Sequence, residues 1–586
     1  MRKLLVANRG EIALRIMRTA RELGLATVAV YSEVDREAPH VHYADEAFLL
    51  GPAAASQSYL AIDKLLDVAV RAQADAVHPG YGFLAENAGF ARAVIAAGLV
   101  WVGPHPDAID AMGDKVRARQ AMVAAGVPVV PGTTEPLRDL ADALQAADEY
   151  GLPLALKASG GGGGKGLKVA RTRDQIESAF TTAVREAEAY FKNPAVYVER
   201  YLDNPKHIEL QILADKHGNV VHVGERDCSL QRRHQKLYEE TPPLVSQRVV
   251  ERLHEAGFRA ARAIGYDSVG TIETLVSGDD FYFLEMNTRI QVEHTISEMT
   301  SGLDLVREQL RVAAGEPLGY EQRDIVFRGH AIEVRVNAED PAQNFRPAPG
   351  TIERYREPAG LGVRVDAAAA AGTTIAPDYD SLVAKLIVWA PTREQAQARL
   401  RRAIDDYTIT GVPTTLGFLR ALNDAPAVAD GTYGTATLET FAHTWQPSEP
   451  LPVLAGDIAA SSVPPTDLVR VEVNGKLFAV RLLDRPQANP STMMPPARSI
   501  APRASGKRAT NGPATGSNDV VSPMHGVVVE VSVGLGDAVS ENQVVAVVEA
   551  MKMMNEIRAH RAGTVAALHA ALGETVETNA PLVTLR

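Results

Sequence analysis

The chain contains a single cysteine, Cys228, among 586 residues. An intramolecular disulfide is therefore excluded, and the composition fits a reducing compartment. No stretch holds enough consecutive apolar residues to span a bilayer, and the apolar run after the basic start ends at Asn8, too early for a secretion signal. These absences predict a cytoplasmic protein in which Cys228 is a buried, small apolar residue.

An excess of positive charge is also missing, because the formal net charge is −12 at pH 7. Non-specific binding to nucleic acid or to an anionic membrane would need the opposite sign, so we expect neither as a partner. The apolar content and the charged fraction are those of an ordinary globular protein. At this length the chain should divide into about three to five domains.

The N-terminal part of the chain has the pattern of parallel α/β structure. A buried strand at residues 3–7, a tight turn, a helix at 11–23 and a second strand at 27–31 are predicted in that order, without the full Gly-x-Gly-x-x-Gly fingerprint. Further units of this kind complete a first domain. The predicted domain boundaries in this part of the chain are 1–113, 114–329 and 330–445.

The composition changes after Trp445. Residues 446–484 form a short β-rich connector, in which Asn474-Gly475 is typical of a type I′ hairpin turn. Residues 485–518 are rich in Pro, Ala, Ser, Gly and Thr, and they include five basic residues but no acidic one. This composition predicts a flexible linker that leads to a last domain at 519–586.

Two similar β-rich half-repeats make up that last domain. One starts at Gly526 and the other at Gly563, and the same offset of 37 residues relates the segments that follow them, so one supersecondary unit occurs twice. Lys552 lies midway between the halves, within Glu549-Ala550-Met551-Lys552-Met553. A hairpin tip at this point would expose the lysine to solvent.

This arrangement resembles the biotin carboxyl carrier domain, a small all-β flattened barrel whose tip lysine is biotinylated. Ser522-Pro523-Met524-His525-Gly526 also fits, because these carriers often begin with a Pro-Met-x-Gly segment. The resemblance implies biotin held covalently on Lys552, attached by a biotin protein ligase. Two alternatives stay open: the methionines around Lys552 could form a core turn, and a lipoyl carrier shares the fold, although it usually shows Asp-Lys-Ala.

Five consecutive glycines, Gly160 to Gly164, precede Lys165-Gly166. Glycines let backbone amides approach phosphates closely, and successive amides form an anion-binding concavity. The Gly-Lys-Ser/Thr ending of a Walker A loop is missing. Taken alone, such a run could equally be a flexible loop.

Hard oxygen ligands occur in two neighbouring predicted strands. Glu273 lies within the first, and Glu285 and Asn287 end the second. Mg²⁺ needs ligands of this kind beside nucleotide phosphates. A solvated strand pair would not explain the basic residues near these segments, so the sequence predicts a metal–nucleotide site. Those basic residues are Arg232, Arg233, His234, Lys236 and Arg289.

Over residues 1–445 the chain resembles the ATP-grasp fold of biotin carboxylases. The resemblance implies an α/β fold with a Rossmann-like preATP-grasp domain, an ATP-grasp domain and an α+β C-terminal domain, followed by the all-β carrier. The family's usual proline after His294 is Thr295 here. The matching segments are Ala7-Asn8-Arg9-Gly10-Glu11-Ile12-Ala13, His78-Pro79-Gly80-Tyr81-Gly82-Phe83-Leu84, Glu225-Arg226-Asp227-Cys228-Ser229, Gln231-Arg232-Arg233-His234-Gln235-Lys236, Glu285-Met286-Asn287-Thr288-Arg289 and Gln291-Val292-Glu293-His294.

The resemblance also implies a role for each matching residue. The implied ATP contacts are Lys115, Lys157, Gly163, Gly164, Glu199, Arg200, Tyr201, Leu202, His207, Gln231, His234 and Leu275. The implied ligands of Mg²⁺ or Mn²⁺ are Glu273, Glu285 and Asn287. The implied bicarbonate contacts are Lys236, Arg289, Gln291 and Val292. Glu293 would be the general base and Arg335 would face the ureido oxygen of biotin, which makes Lys236, Arg289, Glu293 and Arg335 the expected catalytic group.

These side chains suit an ATP-dependent ligase. A carboxylate base and fixed cations would help bicarbonate to attack the γ-phosphate. The carboxyphosphate would break down to CO₂ and phosphate, and the phosphate would take the N1 proton of biotin. Arg335 would then stabilise the ureido oxygen as an oxyanion hole does, while the glycine run would close over the nucleotide and exclude water. An ordinary ion pair is the simpler alternative for Glu293 and Arg335.

We interpret the chain as a biotin carboxylase and its carrier in one polypeptide, resembling the α subunit of bacterial acyl-CoA carboxylases. The carrier would supply carboxylated biotin to a separate carboxyltransferase β subunit, which would carboxylate an acyl-CoA of the acetyl-CoA or propionyl-CoA class. The expected assembly is a hetero-oligomer that serves lipid metabolism. The alternatives are a non-catalytic biotin carrier or scaffold, and a biotin carboxylase subunit for a non-CoA acceptor such as pyruvate.

Overall fold

The computed structural model describes residues 1–133, 135–158, 167–191, 193–233, 235–447, 468–473, 476–481, 518–524, 526–550, 553–577 and 579–586. For residues 115, 116, 189–191, 468–473, 477–481, 550 and 553 it describes the backbone alone. The chain divides into two compact units, residues 1–375 with 381–455, and residues 376–380 with 456–586. Within the described ranges, no helix has both the length and the apolar character that a membrane crossing requires.

The N-terminal part of the first unit is a parallel sheet flanked by helices, as predicted. Its strands pair in the order β3-β2-β1-β4-β5. The strands are β1 Lys3–Val6, β2 Ala26–Ser32, β3 Glu46–Gly51, β4 Ala76–His78 and β5 Val100–Trp101. The helices are α1 Gly10–Glu22, α2 Pro39–Tyr43, α3 Ile62–Arg71, α4 Ala88–Ala96 and α5 Pro106–Gly113.

The turn between β1 and α1 is hydrogen-bonded to the segment that follows β4. Asn8 donates its side-chain amide to the Pro79 and Tyr81 carbonyls at 2.7 and 2.8 Å, next to the end of β4. Gly10 has a φ of +68°, in the left-handed region that favours glycine. The first strand–turn–helix–strand prediction is therefore confirmed to within a residue at each end.

The middle of the first unit combines helices with two antiparallel sheets. The smaller sheet has the order β7-β6-β8. The helices are α6 Lys115–Ala124, α7 Leu140–Tyr150, α8 Ile176–Phe191, α9 Gln247–Ala263, α10 His294–Ser301 and α11 Leu305–Ala313. The strands are β6 Leu154–Ala158, β7 Leu167–Ala170, β8 Val196–Arg200, β9 Lys206–Ala214, β10 Val220–Arg232, β11 Gln235–Thr241, β12 Val269–Ser277 and β13 Asp280–Asn287.

The larger sheet continues through the predicted boundary between residues 329 and 330. Its order is β13-β12-β9-β10-β11-β14-β21-β19, and every pairing is antiparallel. The remaining strands of this unit are β14 His330–Asn337, β15 Glu339–Asp340, β16 Arg346–Pro347, β17 Gly350–Thr351, β18 Arg354–Arg356, β19 Val363–Ala367, β20 Thr374–Ile375, β21 Leu382–Ala390 and β22 Thr408–Thr410. The remaining helices are α12 Arg393–Asp406, α13 Leu416–Asn423, α14 Pro426–Ala429 and α15 Thr437–Thr444.

Separate apolar cores stabilise the two antiparallel sheets. In the larger sheet, Leu210 and Ile272 pack with Leu253 and Ala260 of α9. In the smaller sheet, Leu156 packs with small residues of the helices beside it. Burial of aliphatic surface on each sheet, at about 25 cal/mol per Å², stabilises the two sheets that carry the polar residues described below.

The second unit contains a hairpin and a pair of four-stranded sheets. The hairpin strands β23 Leu468–Val473 and β24 Lys476–Arg481 pair antiparallel, which confirms the predicted β pattern; the Asn474-Gly475 turn lies outside the described residues. The other strands are β25 Asp519–Val521, β26 Gly526–Val531, β27 Ala538–Val539, β28 Val544–Ala550, β29 Met553–Arg558, β30 Gly563–Leu568, β31 Thr575–Val576 and β32 Pro581–Leu585.

The predicted duplication is present in the strands themselves. Strands β26, β27 and β28 begin at 526, 538 and 544, and β30, β31 and β32 begin at 563, 575 and 581, the same 37-residue offset. The sheets have the orders β25-β32-β30-β27 and β29-β28-β26-β31, so each half contributes its two-residue strand to the sheet of the other half. A shared core of valines and leucines joins the halves.

Strands β28 and β29 form the hairpin on either side of the predicted modification site. Their register ends at Ala550 paired with Met553. Lys552 lies outside the described residues, as does nearly all of the predicted linker at 485–518. The predicted architecture, an α/β region followed by a small all-β domain, is confirmed.

Candidate active site

A cavity of about 1050 Å³ in the first unit is lined by residues of both antiparallel sheets. Every predicted site residue whose side chain the structure describes lines this cavity. They are Lys157, Glu199, Arg200, Tyr201, Leu202, His207, Gln231, Lys236, Glu273, Leu275, Glu285, Asn287, Arg289, Gln291, Val292, Glu293 and Arg335. Strands β6 to β14 thus contribute residues to one cavity, and both sheets supply charged groups to it.

The other predicted site residues are not placed by the structure. Gly163, Gly164, His234 and Lys552 lie outside the described residues. Lys115 is the first residue of α6, and only its backbone is described.

Lys236, near the start of β11, extends into a group of carboxylates. Its ammonium contacts Glu209 and lies 2.7 Å from Glu293 Oε1 and 3.1 Å from Glu273 Oε1. Burial lowers the pKa of Lys236, but these three carboxylates outweigh it and raise the pKa well above its usual value. Lys236 is therefore a permanent cation in the cavity wall.

Glu293 directly precedes helix α10 and is 1% exposed. One of its oxygens pairs with Lys236, and the other accepts a hydrogen bond from Arg335 Nη2 at 3.0 Å. Burial raises the pKa of Glu293, but Lys236 and Arg335 hold it below its usual value. The carboxylate is ionised at neutral pH and can accept a proton, which is the requirement for a general base.

Arg335, on β14, is held by two carboxylates. Its Nε donates to Glu239 Oε1 at 2.7 Å, and its Nη2 donates to Glu293. Burial lowers the pKa of Arg335, whereas Glu239 and Glu293 raise it above its usual value. A planar, permanently charged donor group therefore lies at the cavity, oriented by carboxylates on two other elements.

Glu273 and Glu285 carry the predicted metal site. They are directly opposite each other on β12 and β13, so both side chains lie on one face of the sheet. Asn287 donates to Glu273 Oε1 at 2.8 Å, and its own Oδ1 accepts from Arg289 Nη2 at 2.8 Å. Two carboxylates beside an amide oxygen are the hard donors that Mg²⁺ takes, so the residues fit the ion.

His207, on β9, lies next to the same carboxylates. Its Nε2 is 3.1 Å from Glu273 Oε2 and 3.3 Å from Glu209 Oε1. Burial lowers the pKa of His207, but Glu273 and Glu209 raise it to about 9. The ring is therefore cationic at neutral pH and offers donors to an anionic or hydroxyl-bearing ligand.

The smaller sheet and helix α6 add further charged groups to the cavity. Lys157 on β6 and Glu199 on β8 form an ion pair, and Arg119 Nη1 lies 3.1 Å from Glu199 Oε1. The apolar side chains of Leu202 and Leu275 line the same cavity. Apolar walls with a few convergent charged groups are typical of a nucleotide or cofactor pocket.

Thr295, the departure from the family's usual proline, lies in the first turn of α10. Its hydroxyl donates to Glu333 on β14. Proline has no side-chain donor, so this hydrogen bond depends on the threonine. The departure therefore adds a contact behind the cavity.

Arg226 and Glu209 are buried charged residues that support the site and were not predicted from the sequence. Arg226, fully buried on β10, donates to Glu209 Oε2 at 3.1 Å and to Gln291 Oε1. Glu209 in turn contacts Lys236. The only sequence signal was that Arg226 belongs to the Glu225–Ser229 segment. Cys228, in the same segment, is buried, as predicted.

Models of known families match four consecutive stretches of the chain. The biotin carboxylase N-terminal domain matches residues 1–109, and the ATP-binding domain of the carbamoyl-phosphate synthase L chain matches 114–321. The biotin carboxylase C-terminal domain matches 333–440, and the biotin-requiring enzyme model matches 518–585.

Curated relatives match either the whole chain or about three-quarters of it. A biotin-dependent acyl-coenzyme A carboxylase alpha3 subunit of Mycobacterium leprae is 44% identical over 100% of this chain and 98% of its own length. Biotin carboxylase 1 of Bacillus subtilis is 48% identical over 75% of this chain and 99% of its own. A pyruvate carboxylase subunit of Methanothermobacter thermautotrophicus is 50% identical over 75% of this chain and 90% of its own.

Solved structures match a similar share of the chain. The biotin carboxylase domain of the Hydrogenobacter thermophilus 2-oxoglutarate carboxylase, in complex with MgADP, ADP and bicarbonate, has a TM-score of 0.71 and 47% identity, and the match covers 76% of this chain and 99% of that one. A biotin carboxylase from Campylobacter jejuni has a TM-score of 0.71 and 44% identity over 75% of this chain and 98% of that one.

Proposed function

This chain belongs to the biotin-dependent carboxylases, and on that premise we propose that it carboxylates biotin held on its own Lys552 for transfer to an acyl-CoA. It is an ATP-grasp biotin carboxylase joined to a biotinyl carrier domain. Its cofactors are biotin, ATP and Mg²⁺. Membership of this family implies bicarbonate as a substrate and a carboxyltransferase as a partner.

We assign bicarbonate to the space beside Lys236 and Arg289. Bicarbonate is a weak nucleophile, so its attack on the γ-phosphate of ATP needs a base and fixed positive charge. Glu293 accepts the bicarbonate proton, since its carboxylate is ionised and lies in the same wall. Lys236, Arg289 and Gln291 fix the anion, and the Val292 main chain lies beside them, steadied by a 2.8 Å hydrogen bond from Lys385 to its carbonyl.

The nucleotide occupies the part of the cavity next to the smaller sheet. Lys157, together with Lys115, neutralises phosphate charge, while Glu199 to Leu202 and Leu275 hold the adenine. His207 and Gln231 donate to the ribose. We also assign His234 to the nucleotide and the Gly160–Gly164 run to its phosphates, although both lie outside the described residues. Mg²⁺ held by Glu273, Glu285 and Asn287 would neutralise the developing phosphate charge.

Arg335 acts on the second half of the reaction. Once carboxyphosphate has broken down to CO₂ and phosphate, phosphate takes the N1 proton of biotin. The guanidinium of Arg335 stabilises the negative charge on the ureido oxygen. Its geometry is already held by Glu239 and Glu293, so no reorganisation is needed when the charge develops.

The observation that supports this function most strongly is the buried group of Lys236, Glu293 and Arg335 at the cavity that also holds the metal donors. The test is ATP cleavage by the purified protein with bicarbonate and free biotin. We expect ATP cleavage that requires bicarbonate and is stimulated by free biotin. A non-catalytic carrier or scaffold would show neither dependence.

We propose an acyl-CoA as the final acceptor because the M. leprae relative, an acyl-coenzyme A carboxylase subunit, matches the carrier as well as the carboxylase. Pyruvate is the second candidate, since a pyruvate carboxylase subunit matches the carboxylase region at 50% identity. The native carboxyltransferase, recovered by pull-down with this chain, should carboxylate acetyl-CoA or propionyl-CoA. Carboxylation of pyruvate alone would reverse the assignment.

We further infer that a biotin protein ligase modifies Lys552 and that the chain works in a hetero-oligomer in the cytoplasm. The predicted linker at 485–518 would tether the carrier, with a root-mean-square span of roughly 30 Å for a flexible chain of this length. A linker of this kind would raise the local biotin concentration to about the millimolar range. The single cysteine supports a reducing compartment.

Glu285→Gln is expected to raise the Mg²⁺ concentration needed for half-maximal ATP cleavage by at least about tenfold. A neutral amide is a poorer ligand for a hard cation than a carboxylate. The measurement is a Mg²⁺ titration of bicarbonate-dependent ATP cleavage. Asp280→Asn, on the same strand but outside the cavity lining, is the matched control. Equal Mg²⁺ requirements in the two variants would remove Glu285 from the metal site.

A further inference from the structure

Glu239 and Glu333 are placed face to face behind the cavity. They are directly opposite each other in the antiparallel pair of β11 and β14, and both are 0% exposed. Opposite residues in such a pair have Cβ atoms about 4.5–5.5 Å apart, and like charges there are destabilising. Two carboxylates this close and out of water cannot both ionise without a large cost.

Each of the two carboxyl groups uses one oxygen and leaves the other without a partner. Glu239 Oε1 accepts from Arg335, and Glu333 Oε2 accepts from Thr295. Within the described part of the chain, the buried Glu239 Oε2 and Glu333 Oε1 have no hydrogen-bond partner. One proton shared between these two oxygens would satisfy both, and it would remove the like-charge repulsion.

The surrounding charges decide which residue carries that proton. Glu239 pairs with Arg335, which also pairs with Glu293. Among the described residues, no cation forms an ion pair with Glu333, and Lys385 on β21 pairs instead with Glu11 at 3.3 Å. Burial raises the pKa of Glu333 well above its usual value. Lys385 and Arg335 oppose this shift, and the neighbouring Glu239 adds to it. The pKa of Glu239 is raised to about 7 by burial, against the opposing effects of Arg335 and Lys236.

We propose that Glu333 is a positioning residue that keeps a proton at neutral pH and donates it to Glu239, which in turn orients Arg335 at the cavity. The proposal rests on the role given to Arg335 in the proposed function. Neither Glu239 nor Glu333 lines the cavity, so Glu333 acts on the reaction only through its neighbours. Thr295 holds the other oxygen of Glu333 and so fixes the direction of the donated proton.

Two substitutions distinguish the hydrogen bond donated by Glu333 from the space that its side chain fills. Glu333→Gln keeps a neutral donor of nearly the same shape, and Glu333→Leu removes the donor and leaves Glu239 Oε2 without a partner. We expect kcat for carboxylation of free biotin to fall only a few-fold in Glu333→Gln. In Glu333→Leu it should fall by up to about a hundredfold, as expected when a catalytic group is displaced. KM for ATP should change little in either, because Arg335 does not bind the nucleotide.

The proton itself is read by infrared spectroscopy, independently of activity. The wild-type protein at neutral pH should show a carboxylic acid C=O band that is lost in Glu333→Gln and that disappears from the wild type as the pH is raised. Glu308→Gln, which changes a buried carboxyl paired with Arg311 at 3.0 Å, should leave the band intact.

An infrared band unchanged by Glu333→Gln would overturn the proposal, as would equal kcat values for the Gln and Leu variants. If the band behaves as expected but the wild type does not carboxylate biotin, the proposed function fails and the assignment of the proton stands. Because the Gln variant alone decides the infrared result, a Leu variant that does not fold leaves the test valid.

Discussion

Replacing Lys552 with Arg is expected to remove all protein-bound biotin and to abolish carboxyl transfer to the acceptor. Arginine keeps the positive charge of the side chain. Because its guanidinium stays protonated at any working pH, it offers the ligase no free amine to acylate. Lys552 is the only lysine between residues 508 and 586, so the carrier has no substitute. Avidin blotting and intact mass together measure the loss.

The matched control for this experiment is Lys476→Arg, on β24 outside the carrier. It should remain fully biotinylated. The Lys552→Arg protein should still carboxylate free biotin, because the cavity of the first unit is unchanged by the substitution. A Lys552→Arg protein that still binds avidin would show that biotin is attached elsewhere, and the carrier assignment would fail.

Glu293→Gln is expected to lower biotin carboxylation by about a hundredfold or more, on the scale seen when a group that acts in the transition state is removed. The amide keeps the shape of the side chain but cannot accept the bicarbonate proton. It also leaves Lys236 and Arg335 with one counter-charge fewer. ATP affinity should change little, since the carboxylate contacts those two cations and no group assigned to the adenine.

Two measurements on the same protein check this prediction: the bicarbonate-dependent rate of ATP cleavage and the dissociation constant of ATP. Glu308→Gln changes a buried carboxyl that pairs with Arg311 and does not line the cavity, so it controls for the loss of a buried charge. A large loss of ATP affinity with normal turnover at saturation would mean that Glu293 has been given the wrong role.

Local patterns in the sequence were enough to predict the carrier domain and to bring Glu273 close to Glu285. The 37-residue offset reappears in the starting residues of six strands. Glu273 and Glu285 lie on consecutive strands joined by a short turn, so their juxtaposition follows from a hairpin. Short-range pairing of this kind depends only on strand length and turn position.

The support behind the site could not be predicted in the same way. Arg226 meets Glu209, and Glu239 meets Glu333, only through the registers of long antiparallel pairs. The register of β10 shifts between His222 and Glu225 and again after Asp227, and each one-residue shift moves side chains to the other face. Such bulges cannot be predicted from the local sequence, so the partners of these charged residues could not be predicted either.

The continuity of the larger sheet also could not be predicted from the sequence pattern. The larger sheet crosses the predicted boundary between residues 329 and 330, because β14 pairs with β11 on one side and with β21 on the other. Arg335 therefore belongs to the same sheet as Lys236, and this shared sheet fixes the spacing of the two cations that pair with Glu293.

The most direct test of the central claim follows the carbon of bicarbonate onto the carrier. The biotinylated protein is incubated with ATP, Mg²⁺ and radiolabelled bicarbonate, and label bound to protein is counted after rapid removal of free bicarbonate. We predict ATP-dependent label on the wild-type chain, none on Lys552→Arg, and strongly reduced label on Glu293→Gln. Protein-bound label that forms without ATP, or that persists in Lys552→Arg, would contradict the account.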